Sequence, residues 1–297
     1  MITKPTMTQT RQHFIVIGNP IAHSKSPEIH EVFANQTGCA IRYGRQYCPD
    51  DAASFTAVVE AFFQGGGVGA NVTVPFKQLA YEQCLAQGGV SEHARIAGAV
   101  NTLLLNQEML NNGAAVNEAL YGDNTDGQGL VNHITSLGWQ LEGARVAIIG
   151  AGGAARGAIL PLIQAGIATL TIANRTMSKA ADLVTELSAA SSTIAQHNIK
   201  SCATAELSGH FDIIINATSI GLSGETLPLS DNLNCNQAYD MMYGRELPFL
   251  QHFATRGAQT SDGYGMLIGQ AALSFERWTG HSIDVTQATT MLKQKSS

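Results

Sequence analysis

The sequence predicts an α/β protein of two domains, the second a Rossmann-type, doubly wound parallel sheet. Three observations carry this. Short apolar runs alternate with helical patterns along much of the chain, as βαβ units require. One such run, Val146-Ala147-Ile148-Ile149, ends in glycines and passes straight into a helical pattern. Finally, 297 residues are enough for two hydrophobic cores.

Taken in order, residues 1–12 are polar, without the apolar stretch of a signal peptide, and read as a loose extension. A strand over 14–18 precedes Asn19-Pro20 and a loop over 21–25. Ser26-Pro27-Glu28 opens a helix, with Ser26 as N-cap and Pro27 in the first turn, and Gly38 closes it. A strand spans 41–47. Asp50 or Asp51 caps a helix in which Phe55, Val58, Val59, Phe62 and Phe63 form a core-facing stripe at helical spacing. A strand over 70–74 then sets Asn71 and Thr73 on one face against Val72 and Val74 on the other. Its C-terminal end is polar, and open α/β sheets bind ligands at such ends. A helix near 78–87 follows, then Ala99-Val100-Asn101-Thr102 and an apolar stretch over 103–105. The segment 106–121, with the turn signal Asn111-Asn112-Gly113, predicts a hairpin with a long loop.

Residues 122–127, GDNTDG, lead into a helix over 128–137 closed by Gly138. After the run at 146–149 comes a helix over 153–165, ended by Gly166. A strand over 169–173 and a helix over 178–188 follow, then strands near 197–201, 211–216 and 238–241 and helices over 266–279 and 285–293. The alternation reads as a parallel sheet wound by right-handed crossovers.

Gly150, Gly152 and Ala155 fit G-x-G-x-x-G/A, the dinucleotide-binding pattern. The first glycine permits the tight turn and the second lets the backbone approach a pyrophosphate. The small third residue lets helix pack on strand, and the helix N-terminus offers free N–H groups. Glycines alone often only connect elements; here strand, helix and next strand all stand where the pattern needs them. An NAD site requires an acidic residue after that second strand. This chain has Asn174-Arg175-Thr176, with Lys179 beyond, so a 2′-phosphate is the expected ligand and NADP the expected cofactor.

A net charge of −6 with no block of Lys or Arg argues against nucleic acid and anionic membrane as partners. No run reaches the length of a membrane span. The cysteines, Cys39, Cys48, Cys84, Cys202 and Cys235, are odd in number and lack C-x-x-C spacing, which suggests reduced thiols in a cytoplasmic protein. The histidines show no metal-binding pairing, and no metal is expected.

IAHSKSP at 21–27, ANVTVPFK at 70–77, AGAVNT at 97–102 and GDNTDG at 122–127 closely resemble the shikimate dehydrogenase family. GAGGAARG, ANRT at 173–176, INATSIG at 215–221, YDMMY at 239–243 and DGYGMLIGQAA at 262–272 agree. The resemblance implies a substrate-binding domain of residues 1–125 plus 263–297 and an NADP-binding Rossmann domain of residues 126–262. It implies reduction of 3-dehydroshikimate to shikimate by NADPH, the fourth step of the shikimate pathway leading to chorismate and aromatic amino acids.

By the same resemblance, Lys77 is the general acid/base and Asp126 its orienting partner and a substrate-hydroxyl acceptor. On position alone, Lys77 reads as a surface lysine and Asp126 as a helix N-cap. Ser24 and Ser26 match carboxylate-binding serines. Asn71, Thr73, Asn101 and Gln270 match positions around the ring hydroxyls and carboxylate, and Tyr243 one that reaches the carboxylate. Gly150, Ala151, Gly152, Gly153 and Ala154 match the pyrophosphate cradle; Asn174, Arg175 and Thr176 match the 2′-phosphate site. Lys179 stands where many relatives carry a second Arg, and Met241 and Gly265 match residues beside the nicotinamide. A quinate/shikimate dehydrogenase using NAD or both cofactors, and a non-catalytic NADP-binding relative, are the alternatives. The expected partners are small molecules, and the chain is expected to act as a monomer or homodimer.

Overall fold

The computed structural model describes residues 11–220 and 227–295. Residues 1–10 of the extension expected over 1–12, and Gly221 of the INATSIG block, lie outside the described residues; Gln12 already belongs to the first strand. The chain divides into one unit of Met1–Val90, Val100–Asp123 and Ala271–Ser297, and another of Ser91–Ala99 with Asn124–Gln270. This division differs from the expected boundaries: Ser91–Ala99 and the start of the penultimate helix go with the second unit.

In the first unit, β1 (Gln12–Gly18), β2 (Ile41–Tyr47), β3 (Gly69–Val72), β4 (Thr102–Leu105) and β5 (Leu120–Asp123) form one sheet in the order β2-β1-β3-β4-β5. The first three are parallel, whereas β4 runs antiparallel to both neighbours. The hairpin with a long loop expected over 106–121 is thus present as the antiparallel pair β4 and β5. They are four residues each and are joined without a full crossover helix, so the chain doubles back between them. The connection carries a short helix, Gln107–Asn111, started by Asn106 Oδ1 accepting from the Glu108 and Met109 N–H groups.

Helix α1 (Ser26–Thr37) buries Ile29, His30, Val32 and Phe33 and ends at Gly38 in the left-handed region. Ser26 is not its N-cap: Lys25 holds that place and makes no side-chain cap, and Ser26 is the first helical residue. Helix α2 (Ala52–Gln64) is capped by Asp51, whose carboxylate accepts from Ser54 N at 2.8 Å. Its Phe55, Val59 and Phe63 are buried, joining Phe14, Ile17, Val72 and Phe76 in the core. Strand β3 stops at Val72, two residues earlier than expected. Thr73–Phe76 then forms a turn, Phe76 N donating to Thr73 O at 3.0 Å, and α3 (Lys77–Ala86) begins.

In the second unit, α4 (Glu92–Ala97), unmarked by any sequence signal used above, precedes α6 (Asp126–Ser136); the short helix at Gln107–Asn111 counts as α5. Six strands follow: β6 (Arg145–Ile149), β7 (Thr169–Asn174), β8 (Ile199–Ala203), β9 (Gly209–Asn216), β10 (Leu233–Asp240) and β11 (Gln259–Ser261). Their order is β11-β10-β9-β6-β7-β8 and every pairing is parallel. Counted from β6, this is the 3-2-1-4-5-6 order of a Rossmann sheet, with its switch point between β6 and β9.

Both faces of that sheet are covered. Val146, Ile148 and Ile213 pack with Ala155, Ile159 and Leu162 of α7 (Gly153–Gln164) and Leu183 and Leu187 of α8 (Met177–Ala190). Ala147, Ile149 and Ile214 pack with Phe249 and Phe253 of α10 (Pro248–Ala254). Covering both faces is why β6 reads as a continuous apolar run; each buried Ile contributes roughly 1.5–3 kcal/mol of transfer free energy. The chain closes with α11 (Tyr264–Thr279) and α12 (Val285–Lys295). Among the described residues no helix is long and apolar enough to cross a membrane, and no group of His, Cys, Asp or Glu could hold a metal ion. All five cysteines are unpaired.

Candidate active site

In the first unit the predicted residues gather where β1 and β3 end. Ser24 N donates to Ile21 O at 3.1 Å, closing the turn that carries Ser24 and Ser26; their hydroxyls lie 3.2 Å apart. Arg45 of β2 grips this turn from outside, Nη2 donating to Ser24 O at 2.6 Å and to Glu28 Oε1 at 2.7 Å. Thr73 N donates to Ile17 O at 2.9 Å, placing Thr73 beside the end of β1. Lys77 opens α3, and its carbonyl accepts from Val100 N at 2.9 Å, next to Asn101. Asn101 N donates to Asp123 O and Asn101 O accepts from Val72 N, so that residue is held between β3 and β5.

Asn71 is saturated by its own unit. Its Nδ2 donates to Asn101 O at 3.1 Å and Ser274 Oγ at 3.0 Å. Its Oδ1 accepts from Tyr43 OH at 2.7 Å and faces His30 Nε2 at 3.3 Å. The amide expected to hold a ring hydroxyl is therefore a strut inside the wall. Burial pushes Tyr43 well above its ordinary range, against the opposing pull of the Ser26 hydroxyl. Burial also takes His30 down to about 3, so this ring is neutral; it stacks on Tyr43 at 4.2 Å.

In the second unit the fingerprint builds as its glycines require. Gly150 has φ +117°, and a Cβ there would lie 3.1 Å from Ala217 O, at the end of β9. Gly152 and Gly153, at the start of α7, have open space where a side chain would stand. Gly150 and Gly152, but not Gly153, line a cavity of about 320 Å³ with Ala151, Asn174, Arg175, Thr176, Lys179, Thr204, Ala217 and Thr218. Helix N–H groups and the cations Arg175 and Lys179, with no carboxylate among the described lining residues, suit a dinucleotide carrying a 2′-phosphate. Asn174 Nδ2 donates to Thr176 O at 2.9 Å and fixes the turn that presents Arg175. Ala154, exposed in the first turn of α7, is outside the lining.

Asn216 and Asp240, at the ends of β9 and β10, join the loops beyond them. Asn216 Nδ2 donates to Asp240 Oδ2 at 2.8 Å, and Asn216 Oδ1 accepts from both the N–H and hydroxyl of Thr218. Asp240 Oδ1 accepts from Met242 N at 2.9 Å, next to Met241. Burial raises the Asp240 carboxyl above its ordinary range despite these bonds. Tyr243 lies against Tyr264 with ring centroids 5.9 Å apart. Gly265 is a glycine because the His133 ring fills the place of a side chain; His133 Nδ1 is 2.7 Å from Tyr239 OH.

Asp126 is the first residue of α6, not its N-cap; Thr125 takes that place, and Asn124 Oδ1 accepts from Asp126 N at 3.1 Å. Thr125 Oγ1 donates to Gln270 O at 3.0 Å, and Gly129 leaves room for the Gln270 backbone. Asp126, Tyr243 and Gln270 thus belong to the second unit, and Ser24, Ser26, Asn71, Thr73, Lys77 and Asn101 to the first. Sequence reasoning missed Tyr43, Arg45, Thr102 and Ser274. Alternation along β2 marks Tyr43 and Arg45 as sharing a face; Thr102 and Ser274 carry no local signal.

Family models match three stretches: the shikimate dehydrogenase substrate binding domain at residues 16–103, shikimate / quinate 5-dehydrogenase at 130–223, and the shikimate 5'-dehydrogenase C-terminal domain at 263–289. The chain is 77% identical to the shikimate dehydrogenase (NADP(+)) of Psychrobacter cryohalolentis, covering 96% of this chain and 99% of that one. It is 44% identical to the enzyme of that name from Acinetobacter baylyi, over 93% and 98% of the two chains. The crystal structure of the Thermus thermophilus shikimate 5-dehydrogenase, in complex with NADP(H) and shikimate, superposes with a TM-score of 0.78 at 27% identity, over 95% of this chain and 98% of that one. This chain belongs to the shikimate dehydrogenase family.

Proposed function

We propose that this protein is an NADP-dependent oxidoreductase that interconverts 3-dehydroshikimate and shikimate in aromatic amino acid biosynthesis. The observation that carries the reading is 77% identity, over 96% of the chain, with an NADP-dependent shikimate dehydrogenase, with Arg175 and Lys179 and no carboxylate among the described residues of the cofactor cavity. Two small molecules are its partners.

Gly150, Ala151, Gly152 and Gly153, followed by Ala154, cradle the pyrophosphate. Asn174, Arg175, Thr176 and Lys179 receive the 2′-phosphate, and Met241 and Gly265 stand at the nicotinamide. When bound, NADPH supplies the hydride that reduces the substrate ketone. The Lys77 ammonium donates a proton to the oxygen on which negative charge develops, and takes it back in the reverse direction. Asp126 orients that ammonium and accepts from a ring hydroxyl. Ser24 and Ser26 donate to the substrate carboxylate, joined by Tyr243, while Thr73, Asn101 and Gln270 hold the ring hydroxyls. Asn71 supports these groups from inside the wall. The chain acts as a monomer or homodimer. Its unpaired cysteines fit a cytoplasmic enzyme.

Initial rates of NADP and NAD reduction, with shikimate and separately with quinate, test the reading. It predicts activity chiefly with shikimate and NADP. Comparable rates with quinate or NAD would assign the chain to the broader quinate/shikimate group, and no reduction of either cofactor would refute catalysis.

A further inference from the structure

Three strand ends stand side by side in the second sheet: Asn216 of β9 lies between Ile149 of β6 and Asp240 of β10. The chain leaves each of them for a different part of the cofactor site. After Ile149 comes the Gly150 turn. After Asn216 come Ala217 and Thr218, which line the cofactor cavity; a Cβ on Gly150 would lie 3.1 Å from both Ala217 O and the Thr218 methyl. After Asp240 comes Met241, and Met242 O accepts from Gly263 N at 2.9 Å, two residues before Gly265.

The Asn216 and Asp240 side chains are both buried, and only one sense of hydrogen bonding fits them. A backbone N–H only donates, so the Asn216 atom 3.0 Å from Thr218 N is oxygen, and its nitrogen is the atom 2.8 Å from Asp240 Oδ2. On the same ground, Asp240 Oδ1 accepts from Met242 N at 2.9 Å. The loop after β9 is thus bonded to the amide, the loop after β10 to the carboxylate, and the amide to the carboxylate.

We propose that Asn216 and Asp240 are positioning residues that hold these two loops at one fixed separation, so that the phosphate end and the nicotinamide end of NADP meet a single preformed rim. This rests on the reading of NADP as cofactor, with Met241 and Gly265 at its nicotinamide. A ligand that touches both loops binds better when they are set beforehand; without the link, binding must itself order one against the other, at a cost in affinity. A ligand that touches one loop gains nothing from the link.

Asp240→Asn opens the link. Both neighbours of the new amide, Asn216 Nδ2 and Met242 N, are donors, so its NH2 opposes a donor whichever way it turns. Calorimetric titration should show NADP binding about tenfold weaker, and binding of adenosine 2′,5′-bisphosphate, which lacks the nicotinamide half, unchanged within about twofold. Combining Asn216→Asp with Asp240→Asn moves the charge across the pair and remakes every bond: the new carboxylate accepts from Thr218 and from the new amide, whose oxygen accepts from Met242 N. NADP affinity in this double variant should return to within about threefold of wild type. Equal losses for the two ligands, as general damage to the unit would give, unchanged NADP affinity in Asp240→Asn, or no recovery in the double variant would overturn the proposal. Should Asp240→Asn not fold, Asp240→Ser, which also removes the buried charge, carries the same two-ligand comparison. Wild-type protein that does not bind NADP would instead refute the reading on which this rests.

Discussion

On the proposed reading, the two units recognise their ligands by opposite means. The second uses backbone: glycines that clear space, bare N–H groups at the start of α7, and exposed cations at the end of β7. The first uses neutral side chains. Asn101 stands on a buried network of Asn71, Tyr43, Thr102 and Ser274, while Ser24 and Ser26 share one turn and Thr73 is held by the end of β1. A dinucleotide phosphate is a strong, diffuse charge that any row of N–H groups satisfies. A ring with several hydroxyls demands that each donor and acceptor point one way, and fixing those directions takes a second layer of partners.

The largest expected effect breaks chemistry without touching either kind of binding. Lys77→Ala should lower kcat by about 10² to 10⁴-fold, the usual range for losing a general acid/base. NADP affinity, measured by fluorescence titration, should stay at the wild-type value. Turnover within a factor of a few of wild type would remove Lys77 from proton transfer. Arg175→Ala sharpens the contrast at the phosphate. It should raise the NADP KM about 10- to 100-fold, as expected for a charge-assisted contact, and leave that for NAD almost unchanged. Equal effects on both cofactors would show that Arg175 does not read the 2′-phosphate.

The neutral network of the first unit should also be acid-sensitive through His30. Its pKa falls from 6.5 to about 3 on burial, so the unfolded chain takes up the proton first on acidification. The stability held by neutral His30 is therefore complete above pH 6.5 and drains away as pH falls toward 3. Within that window its contribution changes by about 1.4 kcal/mol per pH unit. His30→Gln should flatten the urea midpoint against pH there; an unaltered slope would mean that other groups control acid unfolding. The smallest effect lies outside both sites: Asp51→Ala deletes the α2 cap to Ser54 N and should lower the urea midpoint slightly with activity unaltered.

The same contrast explains how much was legible in the sequence. The fingerprint is local: strand, glycines, helix and Arg175 follow one another within one βαβ unit, and each residue type has its own reason to be there. The second sheet and its cofactor cavity could accordingly be read from 146–179. The first unit's wall could not. Ser274 is 203 residues from Asn71 and 172 from Thr102, and a serine within a helix looks the same whether it faces solvent or anchors a network. Asn71 was found, but its neighbourhood alone gave no sign that protein groups take all of its hydrogen-bonding capacity. The hairpin over 106–121 was legible from Asn111-Asn112-Gly113, whereas the helix Gln107–Asn111 inside it escaped because five residues are too few to show a helical period. Ser26 and Asp126 illustrate a further ambiguity: residues one place inside a helix match the N-cap pattern in composition and differ only in backbone geometry.

The account turns on two ligands recognised by separate chemistries, and crossed calorimetric titrations test it directly. NADP and shikimate would each be titrated into wild type, Arg175→Ala and Asn101→Ala. The account predicts that Arg175→Ala weakens NADP alone and Asn101→Ala weakens shikimate alone. Losses of similar size for both ligands in either variant would contradict it.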